Sequence, residues 1–211
     1  MKKHILGITV IFLLFSGLLV AAEDKQENKV EIIKVYKQEV PAMRFIGKKY
    51  GDEDRVDGGF GKQFGEWHEK GWFAIIEKLM SEDLKAVYED ADAHMGLMRH
   101  KNGEPFQYWI GMFMPKDTDV PEGFEYYDFP KAELGICWVY GKEPDIYMKE
   151  GKCAQKLAEE GHKIVHDKQG ATWFFERDVS SRFKPDEKGN NTLDIGFFLR
   201  YDYKVVVDDE F

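Results

Sequence analysis

The stretch Trp109-Ile110-Gly111-Met112-Phe113-Met114 returns eighty-five positions later as Asp194-Ile195-Gly196-Phe197-Phe198-Leu199. Both copies read Ile-Gly-bulky-Phe-bulky. A strand-like phrase written twice restricts the fold to one built from two similar units, because each copy needs the same kind of burial. A glycine at the same place in each copy points to a bulge or to a close approach of a neighbouring backbone.

The segments around the two copies support the restriction. Before the first copy, residues 30–51 alternate apolar positions through Val30, Ile32 and Val35 and then through Met43 and Phe45, with an interruption at Pro41. Proline lacks the amide hydrogen a ladder needs, so this extended segment bends there. Residues 60–79 space Phe60, Phe64, Trp67, Ile75 and Leu79 as a helix does, and Gly71 can divide that helix. Residues 91–115 read as strand, turn at Asn102-Gly103, strand.

The sequence then starts again. Residues 122–141 are extended and interrupted at Pro130, and they end on Tyr140-Gly141 as the earlier segment ends on Tyr50-Gly51. Residues 143–161 predict a second helix with Ile146, Met148, Cys153 and Leu157 inward and Gly161 as its stop. Residues 171–179 and 191–206 predict two more strands. The expected class is α+β. Two strand–helix–strand–strand modules form a pseudo-twofold antiparallel sheet, with helices packed on it and a groove between the modules. Module one spans 30–118 and module two 119–206.

Residues 1–22 are expected to lie outside this fold. Lys2, Lys3 and His4 precede an uncharged run from Ile5 to Ala22, with small residues Val20 and Ala22 before a charged tether at 23–29. That is the pattern of a secretory signal peptide, with an uncleaved anchor as the alternative. An exported chain is therefore expected. Removing Lys2 and Lys3 takes the net charge from −9 to −11. A chain this acidic, with no basic stripe, is a poor nucleic-acid binder and attracts cations.

Cys137 and Cys153 are the two cysteines. Export permits a disulfide between them, and two small buried side chains fit equally. His162 and His166 stand four apart, but Lys163 occupies the position where a zinc-protease motif needs glutamate. No metal and no cofactor is expected. The glycines of residues 58–65 lack both the phosphate-binding lysine–hydroxyl pair and the dinucleotide spacing. Asn190-Asn191-Thr192 matches a glycosylation acceptor, a pattern common by chance.

Taken together, the stretches 37–47, 108–115, 120–141, 146–161 and 173–179 resemble the GyrI-like small-molecule-binding domains. Such domains also occur as effector-binding domains of AraC-type and MerR-type regulators. The resemblance runs over about residues 30–206, and its strongest part is Pro121-Glu122-Gly123 followed by Pro130-Lys131-Ala132. It implies a ligand groove between two modules that takes cationic, aromatic or amphipathic molecules. It also implies an acidic residue of the penultimate strand facing the ligand, which here is Glu176. Some stand-alone members hydrolyse strained electrophiles. The family commonly carries tyrosine two residues after this glutamate, where this chain has Asp178.

Strand alternation places Thr172, Phe174, Glu176 and Asp178 on one face and Trp173, Phe175 and Arg177 on the other. A carboxylate beside aromatic rings can neutralise a bound cation. Once desolvated, it can also act as a general base. The bland reading is a solvated carboxylate paired with Arg177 or Arg182. Candidate groove walls are Tyr36, Trp72, Tyr108, Trp138, Tyr140 and Trp173, with Tyr108 and Trp138 the strongest. Three functions compete: binding of a cationic or aromatic small molecule, hydrolysis with Glu176 as base, and protein interaction through a vestigial groove. Oligomeric state is not legible in the sequence.

Overall fold

The computed structural model describes residues 29–203. The expected signal peptide, residues 23–28 of the tether and residues 204–206 lie outside them. Among the described residues no helix is long and apolar enough to cross a membrane.

Eight strands form one antiparallel sheet: β1 (Glu31–Val40), β2 (Met43–Tyr50), β3 (His94–His100), β4 (Gln107–Pro115), β5 (Glu125–Phe129), β6 (Ala132–Gly141), β7 (Thr172–Asp178) and β8 (Asn191–Tyr201). Their order across the sheet is β1-β6-β8-β7-β3-β4-β2-β5. Exchanging β1–β4 for β5–β8 reverses this order without changing it, so the sheet repeats about the central β3–β7 pair. Each interrupted extended segment is two strands, broken at Pro41 and at Pro130. The first strand of each half crosses over: β1 pairs with β6, and β5 pairs with β2. The proline breaks free β1 and β5 to reach the opposite half.

The repeated Ile-Gly-bulky-Phe phrase is the core of β4 and β8. Both glycines answer a close approach. Gly111 stands opposite Gly47, and a Cβ on Gly111 would press into the Ile46 carbonyl. A Cβ on Gly196 would strike the Phe175 ring.

One face of the sheet carries three of the four α-helices. α1 (Gly61–Glu69) and α2 (Trp72–Glu77) are separated by Gly71, whose φ of 66° is the left-handed conformation that glycine adopts freely. They bury Trp67, Phe73 and Ile76 against Ile110 and Met112 of β4. α3 (Glu82–Val87), which the apolar spacing did not reveal, starts at Ser81, whose hydroxyl accepts from the Leu84 amide at 3.2 Å, and it buries Leu84 in the apolar cluster of the opposite face. α4 (Glu150–Glu159) buries Cys153 and Leu157 against β6 and β8.

The helix expected over 143–161 is shorter than the spacing suggests. Residues 143–149 form turns, Ile146 is buried within them, and Met148 is 78% exposed with φ of 59°. Gly161, with φ of 81°, follows the helix end as expected. Cys137 and Cys153 form a disulfide that ties β6 to α4, with Cα atoms 5.8 Å apart.

The other face holds the largest apolar cluster, including Phe45, Trp109, Phe113, Trp173, Phe175 and Phe198.

Candidate functional site between the two helical layers

β3 and β7 meet at the centre, where Gly96 pairs with Glu176 and His94 with Asp178. On the helical face the strands present His94 and Met98, Phe174, Glu176 and Asp178, with Tyr108 of β4 alongside. Phe174 packs against both helical clusters, so it lies where the two helical layers meet. Its ring stacks on Phe197 at 5.6 Å. β7 shows the expected alternation, with Trp173, Phe175 and Arg177 buried and Thr172, Phe174, Glu176 and Asp178 half-buried.

Glu176 sits beneath the turn that precedes α4. Its Oε1 accepts from the Met148 amide at 3.4 Å. Tyr147 of the same turn donates to Glu143 at 3.0 Å. Burial pushes the Glu176 carboxyl up to about 8, helped by Glu150 and Asp178 and opposed by the Met148 amide. Burial also raises Asp178 to about 7, with Glu143 and Asp194 adding to the effect. Tyr108 is held well above the ordinary phenol range by burial and then by these two carboxyls. Its ring stacks on Phe60 at 4.2 Å. Among the described residues no lysine or arginine pairs with Glu176 or Asp178.

A cavity of about 560 Å³ opens at the Asp178 end of β7. His68, Glu77, His94, Asp92 and Phe183 line it together with Asp178, and Glu176 lies one same-face position further along β7. His94 Nε2 bonds Glu77 at 2.8 Å, and the His94 ring stacks on Phe73 at 3.7 Å. Burial, and His94 beside it, lower the pKa of His68.

Arg177 points to the opposite face, so it does not pair with Glu176. It is completely buried, bonded to Asp90 at 2.6 Å, Tyr88 at 2.7 Å, Asp194 at 2.9 Å and both Tyr36 and Gln38 at 3.1 Å. Arg182 also engages Asp90 and Asp194. Sequence reasoning missed this network. Its signal was Arg177 itself, a charge at an inward position of a strand.

The aromatic candidates separate by face. Tyr108 shares the groove face with Glu176. Tyr36 and Trp138 meet edge-on at 6.0 Å on the opposite face, near Arg182 and under Lys34. Trp173 is on that face too, donating to Asp167 at 2.8 Å. Tyr140 bonds Asp186 and Asn190 in the β7–β8 loop. Trp72 flanks α1, where it meets Trp67 and lies under Lys48 and Lys70. The His162–His166 segment is not helical, and His166 bonds Thr172 at 2.8 Å. Among the described residues no three His, Cys, Asp or Glu side chains gather as a metal site.

No protein-family model matches the chain, and no curated protein matches it. Solved structures resemble it in fold. One is a Staphylococcus aureus MU50 protein described as a bacterial transcription regulation protein, at 12% identity and a TM-score of 0.53, covering 79% of this chain and 98% of that one. Another is SAV2435 bound to tetraphenylphosphonium, at 12% identity and a TM-score of 0.55, covering 80% of this chain and 94% of that one.

Proposed function

We propose that this chain is a GyrI-like domain that binds a small organic cation in the groove between the α1–α2 layer and α4. Glu176 serves as counter-ion, and Tyr108, Phe174 and Tyr147 supply ring contacts. One observation carries the reading: Glu176 and Asp178 are half-buried neighbours on one strand face, neither has a lysine or arginine partner among the described residues, and Asp178 lines an open cavity. Desolvated carboxylates without a partner are costly, and a bound cation supplies the missing charge. The likeness in fold to a protein that binds tetraphenylphosphonium agrees with this chemistry. An open cavity also argues against a vestigial groove kept only for protein contact.

A second reading, hydrolysis with Glu176 as general base, is favoured by the raised pKa of that carboxyl beside Tyr108. It ranks below binding because Asp178 stands where the family places tyrosine.

We also propose that the chain is exported. The Lys2–Ala22 pattern supports it, and the Cys137–Cys153 disulfide suits an oxidising compartment.

Isothermal titration with tetraphenylphosphonium tests the binding reading. Wild type is expected to bind, and Glu176→Gln to lose about 1–3 kcal/mol, the range for a charge-assisted contact. A folded wild-type protein with no affinity for the cation would overturn it.

A further inference from the structure

Among the described residues neither Glu176 nor Asp178 has a lysine or arginine partner, and one cation answers only one of these two carboxyls. Asp178 follows on the same strand face, so the two Cα atoms are separated by roughly 6.8 Å. The cavity begins at Asp178 and adds Glu77 and Asp92 to its lining. Lys85, the basic residue lining it, is in an ion pair with Glu82 at 3.1 Å. On the α4 side Glu150 and Glu143 add negative charge towards Glu176 and Asp178 respectively. A monocation at Glu176 would leave Asp178 desolvated among carboxylates. Aromatic rings stand along the same line: Phe174 and Tyr108 beside Glu176, and Phe183 at the cavity.

We propose that the cavity at Asp178 is a second cation subsite and that the ligand is a dication, with two charged ends spaced to reach Glu176 and Asp178 and an apolar or aromatic body between them. The inference rests on the binding reading above and narrows it to a ligand class. Glu77, engaged by His94, and Asp92 border the second charged end.

Two small molecules of one shape separate the possibilities. 1,4-Bis(aminomethyl)benzene carries two ammonium groups on a flat ring, and 4-methylbenzylamine is the same body with one. Titrations of both, and of tetraphenylphosphonium, are made on wild type, Glu176→Gln and Asp178→Asn, with circular dichroism showing each variant folded. The diamine is expected to bind wild type roughly tenfold or more tighter than the monoamine, as a second charge-assisted contact adds. Asp178→Asn should abolish that advantage, weakening the diamine more than the monoamine or tetraphenylphosphonium. A protein that binds tetraphenylphosphonium but shows no preference for the diamine refutes the dication and leaves the binding reading standing. Equal weakening of all three ligands by Asp178→Asn also refutes it, because Asp178 would then belong to a single site. Failure of folded wild type to bind any of the three removes both readings. Where Asp178→Asn does not fold, the diamine-to-monoamine ratio on wild type decides alone.

Discussion

Gly96 and Glu176 face each other across the central β3–β7 pair, at the point about which the strand order repeats. In the two copies of the fold they are counterparts. Met95 pairs with Gly111 as Phe175 pairs with Gly196, so the next residue along is Gly96 in one half and Glu176 in the other. One half supplies a carboxyl, and the other supplies the space beside it. The Tyr108 hydroxyl fills that space, where a Cβ on Gly96 would otherwise lie. The symmetric frame thus carries an asymmetric site.

Gly96→Ala is expected to push the Tyr108 ring off its stack on Phe60. Overpacking of this kind costs about 1–3 kcal/mol. Thermal melting should show the loss, and titration should show weaker cation binding. Unchanged melting and unchanged binding would mean that Tyr108 is not held by this contact.

The share of stability that Glu176 controls should be larger in acid than near neutrality. Glu176 titrates at about 8 in the fold against an ordinary value of 4.5. Between those values the folded state holds a proton that the unfolded chain has lost, so stability falls as pH rises. The effect of this group is absent below its unfolded pKa and complete above about 8. Asp178, raised to about 7 from 3.8, acts in the same direction. Glu176→Gln removes its share and should raise stability at pH 8 by up to about 4 kcal/mol, at about 1.4 kcal/mol per pKa unit, with little change at pH 4. Urea titrations at the two pH values measure this, and parallel curves for variant and wild type would contradict it.

Cation binding should show the complementary sign. A cation favours the ionised carboxyl, so binding releases a proton near pH 7 and tightens as pH rises towards 8. Titration in two buffers of different ionisation enthalpy reads the proton directly. Equal heats in both buffers would show that Glu176 is already ionised or is not involved.

Arg177→Leu should be severe. It strips the buried Asp194 and Asp90 of a shared cation, and breaking a buried pair in this way costs about 3–5 kcal/mol. The counterpart position across the fold is Leu97, which pairs with Trp109 as Arg177 pairs with Asp194. The frame therefore accepts an apolar pair there, and adding Asp194→Trp should recover part of the loss. Urea midpoints of the single and double variants measure it. No recovery would show that Asp90 and Arg182 fix the site independently.

Reduction of Cys137–Cys153 should release α4 and the wall above Glu176. The closed loop spans a sequence separation of 16. A loop of that size predicts a loss of about 3 kcal/mol. Melting with and without a reductant checks the value, and N-terminal sequencing of the mature protein tests the proposed export, with a start near Glu23 as the expected result and a retained Met1 as the result against it.

Some of this molecule follows from the sequence alone, because periodicity and turn chemistry are local. The alternation of β7, the turn at Asn102-Gly103, the helix break at Gly71 and the stop at Gly161 each depend on a few neighbouring residues. So does the repeat of β4 in β8, which reveals the doubled frame. What alternation cannot say is which side of one strand matches which side of another. Glu176 pairs with Ile195, and Ile195 pairs with Cys137. That register puts Cys137 and Val139 on the groove side and turns Trp138 away, and a slip of one residue would reverse it. The crossing of β1 and β5 into opposite halves, the short α4 and the absence of a basic partner for Glu176 among the described residues have the same origin. Each is decided by contacts between residues far apart in the chain, and only the folded sheet brings them together.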